Sequence, residues 1–130
     1  ATRIKFYPAG PSHGTVFVSN VTYKDMTIEN TDLAVQIDSC YETDSNYCKQ
    51  YPSAAQLANI NFINITGTTS QKYDPYIGKI FCPPNGTCDL TFNQWSVRSP
   101  SGGSSALCSH YEHPSGITCK ANRSFLLKTK

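Results

Sequence analysis

The sequence predicts an all-β fold, a right-handed parallel β-helix of about three coils followed by a C-terminal cap. Three observations indicate this fold: a short sequence unit recurs, apolar and polar residues alternate within each unit, and no window carries a sustained helical stripe. An antiparallel sandwich also has short strands and frequent turns, but it does not explain why the units align in register. We therefore expect one continuous stack of coils.

The recurring unit occurs at residues 19–28, 58–67 and 88–97, with unequal spacing between its copies. Each copy places an Asn or Asp before an aliphatic residue and an aromatic residue two positions later, in the segments SNVTYKDMTI, ANINFINITG and CDLTFNQWSV. The aliphatic positions are Val21, Ile60 and Leu90, and the aromatic positions are Tyr23, Phe62 and Phe92. Because stacked coils lie ~4.8 Å apart, we expect each set to form a column inside the solenoid.

Shorter apolar alternations at 33–38, 76–81 and 124–128 predict further strands between and after the units. Clusters of Gly and Pro separate these strands, as in YPAGPSHG, CPPNG and SPSGGSS. An open end of a solenoid exposes its interior and its unpaired strand edges, and this sequence enters directly as a strand. We therefore expect residues 1–130 to be the C-terminal coils of a larger β-helix, with further coils before Ala1.

The composition argues against two classes of partner. The chain has 130 residues, a net charge of +2 and 15% charged residues, which gives no basic surface for nucleic acid. No apolar run approaches the ~18 residues that a membrane span requires, and no signal-peptide core lies near the start. We expect neither nucleic acid nor a membrane as a partner.

Cysteines and glycosylation motifs predict a secreted, extracellular glycoprotein. An even number of cysteines, six, indicates a disulfide framework whose pairing the sequence leaves open. We favour the sequential pairing because each bridge would close a short loop: Cys40–Cys48, Cys82–Cys88 and Cys108–Cys119. Four Asn-x-Ser/Thr sequons are candidate N-glycosylation sites, at Asn20, Asn64, Asn85 and Asn122.

The first residues of the chain place two cations on one face of a strand. In ATRIKFYPAG, Arg3 and Lys5 are two residues apart, so their side chains project to one side while Ile4 points to the other. Charged residues are mostly solvated, and this pair taken alone predicts only an exposed strand face.

The order of motifs along the chain resembles the C-terminal third of polygalacturonases, the pectin-cleaving enzymes of glycoside hydrolase family 28. The resemblance runs from RIK and VSNVTYKDMTIENTDLAVQIDSCY through ANINFINITGTTS and IFCPPNGTCDLTFNQWSVRSP to the last cysteine pair. The small loop between Cys40 and Cys48, followed by GTTSQKYDP, resembles the fungal exo-acting members most. The resemblance implies a secreted β-helical enzyme that hydrolyses α-1,4-linked galacturonic acid with inversion, as an exo-polygalacturonase does.

By this resemblance, Arg3 and Lys5 match a family motif whose two cations contact the substrate carboxylate. Galacturonate carries a carboxylate on every ring, which suits the fork of a guanidinium and the point charge of an ammonium. Tyr41 matches a tyrosine that lines the cleft near the same sugar, and the competing interpretation is a loop aromatic packed against the Cys40 bridge. The predicted substrate-binding residues are therefore Arg3, Lys5 and Tyr41.

The resemblance also implies that the catalytic groups lie outside this chain. Family members use aspartates in an Asn-Thr-Asp motif and in an Asp-Asp pair, together with a Gly-His-Gly histidine, and the chain contains neither of the last two. Asn30, Thr31 and Asp32 spell the first motif but follow Arg-Ile-Lys in the wrong order, so we interpret them as a turn. We expect no catalytic residue here, no activity from the 130-residue chain alone, and the N-terminal portion of the same enzyme as its partner.

A cluster near the end of the chain superficially resembles a metal site. Cys108, His110, Glu112 and His113 are close in sequence, but paired cysteines and surface side chains explain them better in a secreted protein. We expect no metal and no cofactor. The alternative function is a non-catalytic β-helix that binds acidic polysaccharide, and the presence or absence of the coils with the aspartates would decide between the two.

Overall fold

The computed structural model describes residues 1–11 and 13–121, and these residues form a parallel β-helix, as predicted. Sheet A contains, in order, β1 (Thr2–Lys5), β3 (Val35–Asp38), β5 (Tyr76–Phe81), β7 (Ser105–Ser109) and β8 (Thr118–Ala121). Sheet B contains β2 (Phe17–Thr31), β4 (Gln56–Thr69) and β6 (Thr87–Arg98). All these neighbours pair in parallel. The predicted strand at 124–128 and the sequon at Asn122 lie outside the described residues.

The repeated unit forms the stack that its sequence predicts. Its aliphatic and aromatic positions pair across the coils in two series, Val21–Ile60–Leu90 and Tyr23–Phe62–Phe92. The ring of Phe62 stacks on both aromatic neighbours, with centroid distances of 5.2 Å to Tyr23 and 4.5 Å to Phe92. Phe62 is 1% exposed, so sheet B is held by a buried aromatic column.

The long strands of sheet B bend at polar residues with left-handed backbone. Asn20 and Asp25 in β2, and Asn59 and Asn64 in β4, have φ values between 53° and 57°. Asn59 Nδ2 donates to Asn20 Oδ1 at 2.9 Å, and Asn64 Nδ2 donates to Asp25 Oδ1 at 2.8 Å. Short polar side chains tolerate this conformation and here also link one coil to the next. The bends therefore recur at the same places and keep the coils aligned.

The repeat departs from simple alignment at one point. Cys88 pairs with Leu57, and not with the aligned Ala58, because β4 carries a bulge between Leu57 and Ile60. The extra residue brings the backbone N–H of Asn59 within 2.9 Å of Asp89 Oδ2, which accepts its hydrogen bond. The bulge therefore shifts the start of the third copy without disturbing the aromatic column.

Three elements lie where the sequence predicted no strand or helix, and one of them is β8 in the C-terminal cap. The strand β7 begins within the segment SPSGGSS, and the short helix α1 (Ser45–Gln50) lies in the loop between Cys40 and Gln56. Asp44 caps this helix by accepting a hydrogen bond from the backbone N–H of Asn46 at 3.1 Å. This helix of about a turn and a half is too short to show an amphipathic stripe, so hydrophobic periodicity does not detect it.

Sheet A has an apolar inner face and a mixed outer face, on which charged and polar residues lie beside Phe81 and Leu107. Inner residues such as Val35, Ile37 and Ile80 are at most 1% exposed. The outward residues form two rows across the strands, which we call the Arg3 row (Arg3, Gln36, Lys79 and Leu107) and the Lys5 row (Lys5, Asp38, Phe81 and Ser109). These two rows form the surface on which the predicted site lies.

The three disulfides pair sequentially, as predicted, and no cysteine is free. The bridge Cys40–Cys48 joins the loop after β3 to helix α1, and Cys82–Cys88 closes the turn between β5 and β6. The bridge Cys108–Cys119 links the neighbouring strands β7 and β8. In the part of the chain that the structure describes, no helix is long and apolar enough to cross a membrane.

Candidate functional site

The structure brings the three predicted substrate-binding residues together. Lys5 Nζ donates to Tyr41 Oη at 3.0 Å and lies 4.2 Å from the centroid of the tyrosine ring. Arg3 Cζ lies 5.5 Å from the same centroid. Both cations are exposed and Tyr41 is half-buried. We call this group of Arg3, Lys5 and Tyr41 the cation–tyrosine site.

Backbone hydrogen bonds hold the loop that presents Tyr41. The N–H of Phe6 donates to the carbonyl of Asp38 at 3.0 Å, and the N–H of Tyr41 donates to the carbonyl of Phe6 at 3.2 Å. Asp38 Oδ1 accepts from the N–H of Cys40 at 3.0 Å, and Cys40 is bonded to Cys48. The loop after β3 is thus joined to the segment after β1, which places the Tyr41 ring beside the two cations.

The cation–tyrosine site has an unbalanced positive charge. Lys72 Nζ forms an ion pair with Asp32 Oδ2 at 3.7 Å. Among residues 1–11 and 13–121, neither Arg3 nor Lys5 has a carboxylate within 4.0 Å. Two cations beside one ring repel each other until an anion lies between them. The arrangement can therefore bind a carboxylate from solution.

A row of aromatic side chains extends from Tyr41, and the sequence analysis did not predict it. The Tyr7 ring lies 5.7 Å from Tyr41 and stacks on His13 at 5.0 Å, and His13 meets Tyr47 edge-on at 6.2 Å. Tyr51 follows at 4.8 Å from Tyr47. Rings with a polar edge suit the faces and hydroxyls of sugars. The detectable signal was the concentration of aromatics in the two loops that follow β1 and β3.

A groove of about 240 Å³ continues from the Tyr41 loop along the Lys5 row. Its lining includes Asp38, Phe81 and Ser109 of the Lys5 row, together with Pro52 and His110. The groove extends across β5 towards β7. The groove lies beside the loop that carries Tyr41, while Arg3, Lys5 and Tyr41 are not among its lining residues.

The candidate glycosylation residues lie on the surface. Asn20, Asn64 and Asn85 are all exposed. Asn20 and Asn64 occupy bends of sheet B, whereas Asn85 lies in the turn between Cys82 and Cys88. None of the three belongs to the outward rows of sheet A, so glycans on them would leave the cation–tyrosine site open.

The tripeptide of Asn30, Thr31 and Asp32 has a local structural role. Asn30 has a φ of 51° near the end of β2. Asp32 accepts a hydrogen bond from Ser70 Oγ at 2.7 Å and forms the ion pair with Lys72. The sequence analysis assigned the tripeptide to a turn, whereas Asn30 and Thr31 are the last residues of β2 and only Asp32 follows the strand. As for metals, the described residues contain no group of three or more His, Cys, Asp or Glu side chains that could hold an ion.

Comparison with known proteins identifies the family. The model of glycosyl hydrolases family 28 matches residues 1–119. This chain belongs to that family. It is 44% identical over 124 residues to the probable endo-xylogalacturonan hydrolase A of Aspergillus niger and to the endo-xylogalacturonan hydrolase A of Aspergillus tubingensis, covering 95% of the chain.

The fold of this family 28 chain matches a solved relative. The crystal structure of endo-xylogalacturonan hydrolase from Aspergillus tubingensis is 43% identical and gives a TM-score of 0.89 over 92% of this chain. The chain spans 30% of the length of the curated relatives and 32% of the solved one. The predicted family is confirmed, whereas the names of these relatives give no support to the exo-acting likeness.

Proposed function

We propose that the outward rows of sheet A form part of the substrate cleft of a pectin-degrading glycoside hydrolase. In this proposal Arg3 and Lys5 bind a galacturonate carboxylate, and Tyr41 offers its ring and hydroxyl to the same sugar. The observation that carries the proposal is the convergence of two cations without a carboxylate partner, among the described residues, on one tyrosine ring. Membership in family 28 makes an acidic polysaccharide the natural anion.

The chemistry of the three side chains fits a uronic acid. A guanidinium binds a carboxylate in a bidentate fork, and an ammonium adds a charge-assisted hydrogen bond. The Tyr41 hydroxyl already accepts a hydrogen bond from Lys5, so it can donate its own proton to a sugar oxygen. The site therefore recognises a charged ring rather than a neutral one.

We place the catalytic carboxylates in a part of the enzyme that this chain does not span. An inverting hydrolase needs one carboxyl group to protonate the leaving oxygen and another to activate water, ~6.5–9.5 Å apart. The chain spans only 30% of its relatives, which leaves room for these groups elsewhere. In this proposal residues 1–130 are the C-terminal coils, and the chain alone binds substrate but does not cleave it.

The substrate backbone in this proposal is α-1,4-linked galacturonic acid. The relatives are named for xylogalacturonan and for endo cleavage, which favours a xylose-bearing galacturonan cut within the chain. Unbranched polygalacturonate cut from one end, as the sequence suggested, is the competing substrate and mode. The lengths of the first products from the two polymers would separate these possibilities.

We also propose that the protein is secreted and glycosylated. Three disulfides favour an oxidising compartment. Asn20, Asn64 and Asn85 are exposed sequons, and the Asn20 and Asn64 side chains already link coils of sheet B through one amide group each. Asn20 accepts its hydrogen bond through Oδ1, so its Nδ2 is the more available for a glycan.

The test is Lys5→Ala in the intact natural protein that contains this chain. We expect a loss of about 2 kcal/mol in transition-state binding, roughly 30-fold in kcat/KM, on de-esterified galacturonan because a charge-assisted hydrogen bond is removed. On methyl-esterified polymer the loss should shrink because the substrate charge is gone. Lys24→Ala, which removes an exposed lysine from sheet B, is the matched control. Equal losses for Lys5→Ala on both polymers would refute the carboxylate-binding role.

A further inference from the structure

Lys79 is a second outward cation on sheet A. It lies on β5 in register with Gln36 of β3, which is in register with Arg3 of β1. Lys79 therefore belongs to the Arg3 row and lies two strands further along the stack, roughly 10 Å away by the spacing of paired strands. Both cations project from the same outer face.

Lys79 repeats the arrangement of the cation–tyrosine site. Its Nζ lies 4.1 Å from the ring centroid of Tyr73, compared with 4.2 Å between Lys5 Nζ and the ring centroid of Tyr41. Tyr73 precedes β5, whereas Tyr41 follows β3, so the two rings flank the face from opposite ends of the strands. Each lysine thus has a tyrosine ring beside it and lies on the shared outer face.

The surroundings hold Tyr73 in place and leave the charge of Lys79 unmatched. Asp74, the next residue, accepts hydrogen bonds from the Ser101 side chain at 2.8 Å and from the Ser101 N–H at 3.3 Å. Lys72, on the other side of Tyr73, is paired with Asp32. In the described part of the chain, Lys79 has no carboxylate within 4.0 Å. The cation–tyrosine site likewise combines a tyrosine ring that is held in place with an ammonium group that has no carboxylate partner.

The nearby acid on this face is already engaged. Asp38 lies in the Lys5 row, not in the Arg3 row, and its Oδ1 accepts the N–H of Cys40. This hydrogen bond holds the Asp38 carboxylate towards the Tyr41 loop. Because no carboxylate of the described residues lies within 4.0 Å of Lys79, its ammonium can pair with the carboxylate of a ligand.

We propose that Lys79, supported by Tyr73, is a second carboxylate-binding position, which takes a later galacturonate of the polymer whose earlier carboxylate binds Arg3 and Lys5. This inference rests on the proposed function because it assumes that the same polyuronate crosses the strands. A polymer with a carboxylate on every ring carries later carboxylates that can reach a cation two strands away, roughly 10 Å from Arg3. The two positions together favour long, unesterified stretches over short or esterified ones.

The test compares oligogalacturonates of increasing length on the intact natural protein and on its Lys79→Ala variant. Short oligomers that reach only the cation–tyrosine site should be cleaved and bound equally by both proteins. Oligomers long enough to reach β5 should lose about fivefold in affinity, measured by calorimetry, and a similar factor in KM. Lys79→Arg should restore most of the loss because the charge is retained. Esterification of the long oligomer should abolish the difference.

Comparison with Lys24→Ala and with Lys5→Ala shows whether the inference or the proposed function fails. Lys24→Ala should behave as the natural protein at every length because it removes a lysine from the other sheet. If Lys79→Ala matches Lys24→Ala at every length, or loses equally at all lengths, the second position is refuted and the contact with Tyr73 is purely structural. If Lys5→Ala shows no charge-dependent loss, the proposed function fails and the inference, which places the earlier carboxylate at Lys5, fails with it. If Lys5→Ala shows this loss but the loss in Lys79→Ala does not grow with length, only the inference fails.

Discussion

Residues at equivalent positions of successive coils are alike in sheet B but differ on the outer face of sheet A. In sheet B the same kind of residue recurs at each level, as in the column Tyr23–Phe62–Phe92. On the outer face of sheet A each level differs, as in the row Arg3–Gln36–Lys79–Leu107. Repetition builds an aromatic column that is buried at Phe62 and Phe92 and half-buried at Tyr23, and variation places different chemical groups along a surface. The difference teaches that recurring positions stabilise the stack, while changing positions in the same register are candidates for ligand recognition.

The sharpest way to break this comparison is to empty the aromatic column. Phe62→Ala removes a ring that is 1% exposed and stacked on both sides, and we expect the free energy of unfolding to fall by about 3–5 kcal/mol. Urea denaturation of the chain measures this change. Phe17→Ala, at a residue that is 64% exposed in the same sheet, should cost well under about 1 kcal/mol. Similar losses for the two variants would show that the column does not hold sheet B.

A smaller effect should come from the bends of sheet B. Asn59 has a φ of 56° and donates to Asn20, so Asn59→Ala loses a hydrogen bond and forces alanine into left-handed backbone. We expect a loss of about 2 kcal/mol, and Asn59→Gly should lose about 1 kcal/mol less because glycine adopts this conformation freely. Equilibrium unfolding in urea gives both values.

The control for this pair is Asn93→Ala, at an exposed residue of β6 outside the left-handed set, which should stay within about 0.5 kcal/mol of the natural chain. A glycine variant as unstable as the alanine variant would show that the hydrogen bond, and not the backbone conformation, determines the stability of the bend.

The smallest effect concerns the turn that carries Tyr73 beside sheet A. Hydrogen bonds from the Ser99 and Ser101 side chains lower the pKa of Asp74 below its ordinary value. These hydrogen bonds therefore stabilise the folded chain fully when the pH is above the pKa that Asp74 has in the unfolded chain. The stabilisation is lost as the pH falls through the lower pKa that Asp74 has in the folded chain. We expect the natural chain to lose stability relative to Asp74→Asn as the pH falls below about 5, with most of the loss below the ordinary aspartate pKa of about 3.9. Thermal unfolding of both chains across this range measures it, and a difference that does not change with pH would contradict the assignment.

The sequence predicts most of sheet B because the same residue pattern recurs in each of its strands. Val21, Ile60 and Leu90 align by inspection, and the structure pairs them as aligned. The bulge that shifts Cys88 against Leu57 is a single extra residue, which alignment by similarity passes over. The helix Ser45–Gln50 is not predicted from the sequence because a short capped helix depends on one side chain, Asp44, and not on periodicity.

The candidate site is predicted only in part, since it combines distant parts of the chain. The spacing of Arg3 and Lys5 places both on one strand face without any structural information. The approach of Tyr41 depends on the loop after β3 and on the hydrogen bond between Tyr41 and Phe6, which no local pattern encodes. The aromatic row through Tyr7 and Tyr47 likewise needs two loops to be brought together, so it becomes visible only in the folded chain.

The connections that leave the ends of β1, β3 and β5 differ greatly in extent, spanning 6–16, 39–55 and 82–86 before the chain enters sheet B. The strands on either side nevertheless keep their parallel pairing. Insertions and deletions are thus absorbed outside the hydrogen-bonded ladder. Such a scaffold behaves as a modular frame: one connection can be lengthened, shortened or exchanged between relatives to reshape the groove wall while the pitch of the stack is conserved. Diversification of specificity can then proceed one loop at a time, without refolding the rest of the molecule.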